Sequence, residues 1–129
     1  MWKNLLCIAI GGAAGALTRY ALTEGVKHFT GAGFPWGTLC VNLLGCFLIG
    51  AAIHLVTLPA VPLGLDYIIV IGFLGAFTTF STFSLENVNM LRDGEFTRAG
   101  LYILVSNVAG IGLAFAGFTV GHKIHYALK

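Results

Sequence analysis

Five hydroxyl side chains stand within seven residues of an otherwise apolar stretch. Thr78, Thr79, Ser81, Thr82 and Ser84 alternate with Phe77, Phe80 and Phe83 in Gly75-Ala-Phe-Thr-Thr-Phe-Ser-Thr-Phe-Ser84. Grouped hydroxyls bind ions or polar solutes. At membrane depth they are costly unless they are buried in protein or line a wet or ion-filled path. The preceding run Tyr67 to Phe77 reads as a membrane helix, and Leu85 to Leu91 continues it. A chain built this way moves or binds something polar within the bilayer.

The neighbouring residues suggest how. Phe80 and Phe83 are three apart and share one helix face, flanked by Thr79 and by Ser81 or Thr82. Gly72 and Gly75 lower helix propensity and permit a break in the third span. A break would free backbone carbonyls for a cation, while the following half-helix would favour an anion at its N-terminus. The alternative is a continuous helix whose hydroxyls bond back one turn. Asn42 lies in the second span, and Tyr102 and Ser106, four apart on one face, lie with Asn107 in the fourth. Each such donor stabilises a charged partner by about 1.5–3 kcal/mol. Drying a carboxylate-sized ion costs on the order of 20 kcal/mol, so the path must be partly wet or hold a fixed positive charge. Phenylalanine edges favour an anion and faces a cation. The residues alone leave the sign of the ion open. Arg19, at the end of the first apolar stretch, is either an interfacial anchor or an electropositive mouth.

Catalysis finds no support. No His/Glu group has metal-ligand spacing, no serine sits in a nucleophile elbow, and no carboxylate lies at mid-span as a proton pump requires. Cys7, Cys40 and Cys46 read as small packing residues. His28 reads as a loop residue, His54 as near a span end, and His122 and His125 as helix-end groups.

The elements that must position these groups are membrane spans. The 129 residues are 57% hydrophobic and 9% charged, where a soluble domain has about a quarter charged. Four stretches, about Leu5–Leu22, Thr38–Leu58, Tyr67–Leu91 and Gly100–His122, each approach the ~20 residues that cross the hydrocarbon. The expectation is an all-α membrane protein, one domain over residues 1–129, with four transmembrane helices. A net charge of +2 argues against a nucleic-acid partner. One side of the membrane carries Lys3, Lys123 and Lys129 and the other Arg19, Lys27, Arg92 and Arg98. That is almost no orienting bias, which suits insertion in both directions and pairing of opposite-facing copies. Gly11 with Gly15 and Gly117 with Gly121 have the spacing that lets helices approach closely, either within one subunit or between two.

These residues together resemble the Fluc/CrcB family of fluoride channels. The resemblance rests on a glycine-rich first span ending Thr18-Arg19-Tyr20, then GTLCVNLLG, then GFLGAFTTFSTFS. It implies an antiparallel, dual-topology homodimer in the inner (plasma) membrane of a microbe, exporting toxic fluoride passively through two pores. It implies a break in the third span and a structural sodium ion (Na+) at the dimer centre, held by carbonyls of Gly75 and Thr78. Phe80, Phe83 and Asn42 match pore residues, Ser81, Thr82 and Glu86 further polar pore contacts, and Arg19 the vestibule arginine. Tyr102 and Ser106 match more loosely. A small multidrug transporter shares the architecture but needs a carboxylate in its first span, and none lies between Leu5 and Tyr20. A non-transporting scaffold would leave the hydroxyl run unexplained.

Overall fold

The computed structural model describes residues 1–58, 61, 62 and 64–128; Lys129, counted above in the charge balance, lies outside them. These residues are all-helical, with four helices long and apolar enough to cross a membrane: Trp2–Thr30, Trp36–Leu55, Tyr67–Arg92 and Phe96–Ala127. The helices α1 (Trp2–Thr30) and α2 (Trp36–Leu55) are continuous. The third span is composite: a π-helix over Tyr67–Leu74, a short turn α3 (Gly75–Phe77), then α4 (Phe80–Arg92). The fourth is α5 (Phe96–Ala127).

The outer helices overrun the apolar stretches, because hydropathy marks the hydrocarbon part and backbone hydrogen bonding continues until a stop signal. Gly31, with φ 76°, ends α1 and returns its N–H to Lys27 O at 2.8 Å. His28 therefore lies on the last turn of α1 rather than in a loop, and Arg19 lies three turns before the helix end. Beyond α4, Gly94 adopts φ 79°. Its N–H reaches Leu91 O and that of Glu95 reaches Met90 O, at 3.2 and 2.8 Å. This is a Schellman stop, and a side chain at Gly94 would strain it.

Helix packing rests on missing side chains. Gly11 and Gly15 bring α1 against the backbone of Ile68 and Phe73 in the π-helix, and Gly117 and Gly121 bring α5 against Phe47 and Ala51 of α2. Both small-xxx-small pairs thus serve packing within the subunit. Gly72 serves the same contact, facing Ile8 O and Gly11 Cα. Helical geometry continues through Gly72 and Gly75 and stops only after Phe77.

Among the described residues the buried core is small: a cluster of Leu39, Met90, Ala99 and Tyr102 with Phe34, Leu43 and Phe83 against it, and beside it Val41, Leu74 and Phe77. Large apolar side chains such as Leu17, Ile111 and Phe115 point outward, as expected where the solvent is lipid.

Candidate functional site

Thr78 and Thr79 are extended (φ −84°, ψ 159° and φ −149°, ψ 116°) between α3 and α4. Thr78 N–H still donates to Leu74 O at 3.2 Å, whereas the backbone groups of Thr79 are met by a side chain. Asn42 Oδ1 accepts from Thr79 N at 2.8 Å, and Asn42 Nδ2 donates to Thr79 O at 3.0 Å. Thr79 Oγ1 caps α4 by accepting from Thr82 N at 3.2 Å.

The diversion of Thr79 N–H to Asn42 and of Thr82 N–H to Thr79 Oγ1 has a consequence for the chain just before α4. In a continuous helix Thr79 N–H would serve the carbonyl of Gly75, and Thr82 N–H that of Thr78. Both donors are spent elsewhere, so both carbonyls lose their helical partners. Arg19 Nη1 stands 3.5 Å from Thr78 O, the outer limit of a hydrogen bond.

The five hydroxyls divide into two groups. Thr78 and Ser84 bond back to Leu74 O and Phe80 O, at 3.1 and 2.8 Å. Thr79 Oγ1 instead donates to Thr82 Oγ1 at 3.0 Å and lies 3.3 Å from Ser81 Oγ. Back-bonding and an interconnected polar surface, alternatives in the sequence, are thus divided among the residues.

A groove of ≈ 370 Å³ runs beside this segment, lined by Asn42, Gly75, Thr78, Thr79, Phe80, Phe83, Ser106 and Asn107 among others. Ser106 Oγ is buried without a hydrogen-bond partner, while Asn107 Nδ2 is occupied by Ile103 O at 2.7 Å. Phe80 and Phe83 have ring centroids 5.6 Å apart. Phe83 also meets the Tyr102 ring edge-to-face at 5.0 Å. Phe80 is 79% exposed and Gly75 is exposed, so the groove opens on the surface of a single chain.

Glu86 lies one turn beyond Thr82. Thr38 Oγ1 donates to Glu86 Oε1 at 2.6 Å, and Tyr102 OH donates to Oε2 at 2.8 Å. Thr38 and Tyr102 are both buried, the latter completely. Three spans therefore meet on one carboxylate. A polar cavity of ≈ 370 Å³ leads to it between the end of α1 and the start of α2, lined by Thr38, Thr82 and Glu86 together with Glu24 and Lys27.

The structure thus gathers Asn42, Gly75, Thr78, Phe80, Phe83 and Ser106 on one groove, and Thr82 and Glu86 on the adjoining cavity. Tyr102 joins them through Glu86, and Ser81 through Thr79. Arg19 is turned to Thr78 and is not among the residues lining the polar cavity. Sequence reasoning missed Thr38 and the capping role of Thr79. The signal for Thr38 was its spacing: it stands four residues before Asn42, on the same face of α2.

Comparison with known proteins gives the arrangement its context. The family described as "CrcB-like protein, Camphor Resistance (CrcB)" matches residues 6–118. A protein of Nitrosococcus oceani named "Fluoride-specific ion channel FluC" is 45% identical over 96% of this chain and 100% of its own. Proteins of the same name from Magnetococcus marinus and Thermus thermophilus are 46% and 45% identical. They are matched over 91% and 92% of this chain, and over 96% and 94% of their own. The name these relatives carry is that of an ion channel, a function that is not enzymatic. The chain belongs to the CrcB-like family.

Proposed function

We propose that this chain is a fluoride channel that lets toxic fluoride leave a microbial cell passively across the plasma membrane. It acts as an antiparallel, dual-topology homodimer with two pores. The observation that carries the proposal is the groove of Asn42, Thr79, Phe80, Phe83 and Ser106, set among three membrane spans and open on the chain's surface. Lipid cannot satisfy exposed backbone polar groups, so a second copy of the chain covers that opening. The near-zero charge bias between the two membrane sides lets the copies insert in opposite directions.

The interruption at Thr78–Thr79 is the working break of the third span. It offers two carbonyls, from Gly75 and Thr78, whose helical donors are diverted to Asn42 and Thr79. Oxygen donors of this kind suit a hard cation, and these residues would hold a structural Na+ at the subunit junction. When bound, that ion supplies fixed positive charge near the path.

The chain's own groups do the rest. The unpartnered hydroxyl of Ser106 offers a donor to a dehydrating anion, and the Thr79–Ser81–Thr82 cluster offers further hydroxyls. Phe80 and Phe83 line the same groove, where ring edges favour an anion. Beyond them Glu86 is held by Thr38 and Tyr102. A fixed negative charge there prevents the ion from settling, and conduction needs binding weak enough for release. Fluoride-electrode recording of efflux from liposomes containing the pure protein tests the proposal. Rapid fluoride release is expected. Drug-dependent proton movement without fluoride release would instead identify an exporter, and silence in both assays a scaffold.

A further inference from the structure

The polar cavity between the end of α1 and the start of α2 has charges that the path itself does not use. Its lining runs from the buried Thr38 and the part-buried Glu86 to the exposed Thr82, Glu24, Lys27 and Thr30. Thr38 is 3% exposed, whereas the Lys27 and Glu24 side chains are 53% and 50% exposed. Burial therefore sets Thr38 and Glu86 inside a mouth formed by the exposed Glu24 and Lys27. Among the described residues lining it, Lys27 is the only cation. Arg19 is turned away to Thr78.

We propose that Lys27 is the anion-capture residue at this mouth, and that Glu24 sets the strength of capture. The inference rests on the channel reading above. Lys27 Nζ lies 3.7 Å from Glu24 Oε1 at i,i+3 spacing on the last turns of α1. So exposed a pair contributes little to stability, which leaves its charges free to act on passing ions. With both present the mouth is close to neutral. The carboxylate of Glu86 then lies ahead of an incoming anion, and only the offset of Lys27 favours entry. Removing one partner of the pair tips the mouth one way or the other. Clefts of one sign raise local ion concentration and entry rates, and salt abolishes the effect.

The test is fluoride current through the full-length protein in planar bilayers, with potassium gluconate setting ionic strength. At low salt Lys27→Gln should lower the current and Glu24→Gln should raise it, each roughly twofold, below the tenfold effect of a whole focusing cleft. Lys27→Arg should retain the wild-type current. At about 1 M salt, where the Debye length is near 3 Å, all four proteins should converge. Variants that match wild type at low salt overturn the inference, as do changes of the same sign for both substitutions. Differences that persist undiminished at high salt overturn it too, since they mark structural damage rather than field. A wild-type protein that carries no fluoride overturns the channel reading and this inference with it. Wild-type current with unmoved variants overturns only the capture role.

Discussion

Asn42 holds Thr79 by both ends of its backbone, accepting from its N–H at 2.8 Å and donating to its carbonyl at 3.0 Å. One side-chain amide on α2 thereby takes the N–H that a continuous helix would have bonded to Gly75, and adds a bond to the carbonyl that starts α4. The same pairing fixes the amide's orientation, since only oxygen can face the N–H and only nitrogen the carbonyl. It also couples two jobs, because the residue that lines the groove is the residue that keeps Thr79 extended.

Asn42→Asp should therefore fail twice. A carboxylate cannot donate to Thr79 O, and it adds negative charge to an anion path. Fluoride efflux from liposomes is expected to fall at least tenfold. The loss of a buried partner should cost about 1–3 kcal/mol in stability, read as a lowered unfolding midpoint in detergent. Undiminished efflux would remove Asn42 from the path.

Phe80→Ile separates conduction from folding. At 79% exposure the ring fills no core space in the single chain, so truncation should leave stability within about 0.5 kcal/mol. Efflux should nevertheless drop severalfold, with the dimer unchanged on size-exclusion chromatography. Normal efflux would show that Phe80 does not line the pore.

Tyr102→Phe leaves Glu86 Oε2 without its donor while preserving the ring contacts with Phe83 and Phe34. A hydrogen bond to a charged group is worth about 1.5–3 kcal/mol, and the half-buried carboxylate regains part of this from water. A destabilisation of about 1–2 kcal/mol is expected by thermal unfolding. A variant as stable as the wild type would show that the Tyr102 hydroxyl does not hold Glu86.

Gly15→Ala and Gly25→Ala form a contrasting pair on α1. A methyl at position 15 meets the backbone carbonyl of Phe73, whereas one at position 25 meets nothing within 4 Å. The first should cost about 1–3 kcal/mol or more through overpacking and lower the yield of folded protein. The second should be neutral or slightly stabilising, since alanine favours the helix. Equal yields from the two variants would contradict the packing of α1 on the π-helix.

Reporter fusions at the C-terminus test the dimer's orientation. Dual insertion predicts signal from both sides of the membrane in one population of cells. Signal confined to one side would exclude an antiparallel pair.

Much of the fold was legible because apolar length is a local property. Four stretches long enough to cross a bilayer are visible without any partner, and the tight glycine pairs follow from spacing alone. The string Gly75 to Ser84 was equally local, and it pointed both to a polar path and to the family. The ends of the helices were less visible: α1 continues to Thr30 because backbone hydrogen bonding ignores the fall in hydropathy after Leu22.

What only the tertiary structure decided were the partners of the polar groups, since each lies far along the chain. Gly72 and Gly75 permit a break in the third span by residue type, yet helical geometry runs through both, and Gly72 packs against α1. The chain becomes extended at Thr78–Thr79, where Asn42, 37 residues away, receives the released peptide. Likewise Glu86 stood in the sequence as an acid in the third span that the family resemblance set among polar pore contacts, with no partner visible. Its two oxygens are assigned by Thr38, 48 residues before it, and Tyr102, 16 after. A sequence states which groups must find partners in an apolar medium; the packing of helices determines which partners come within 3 Å.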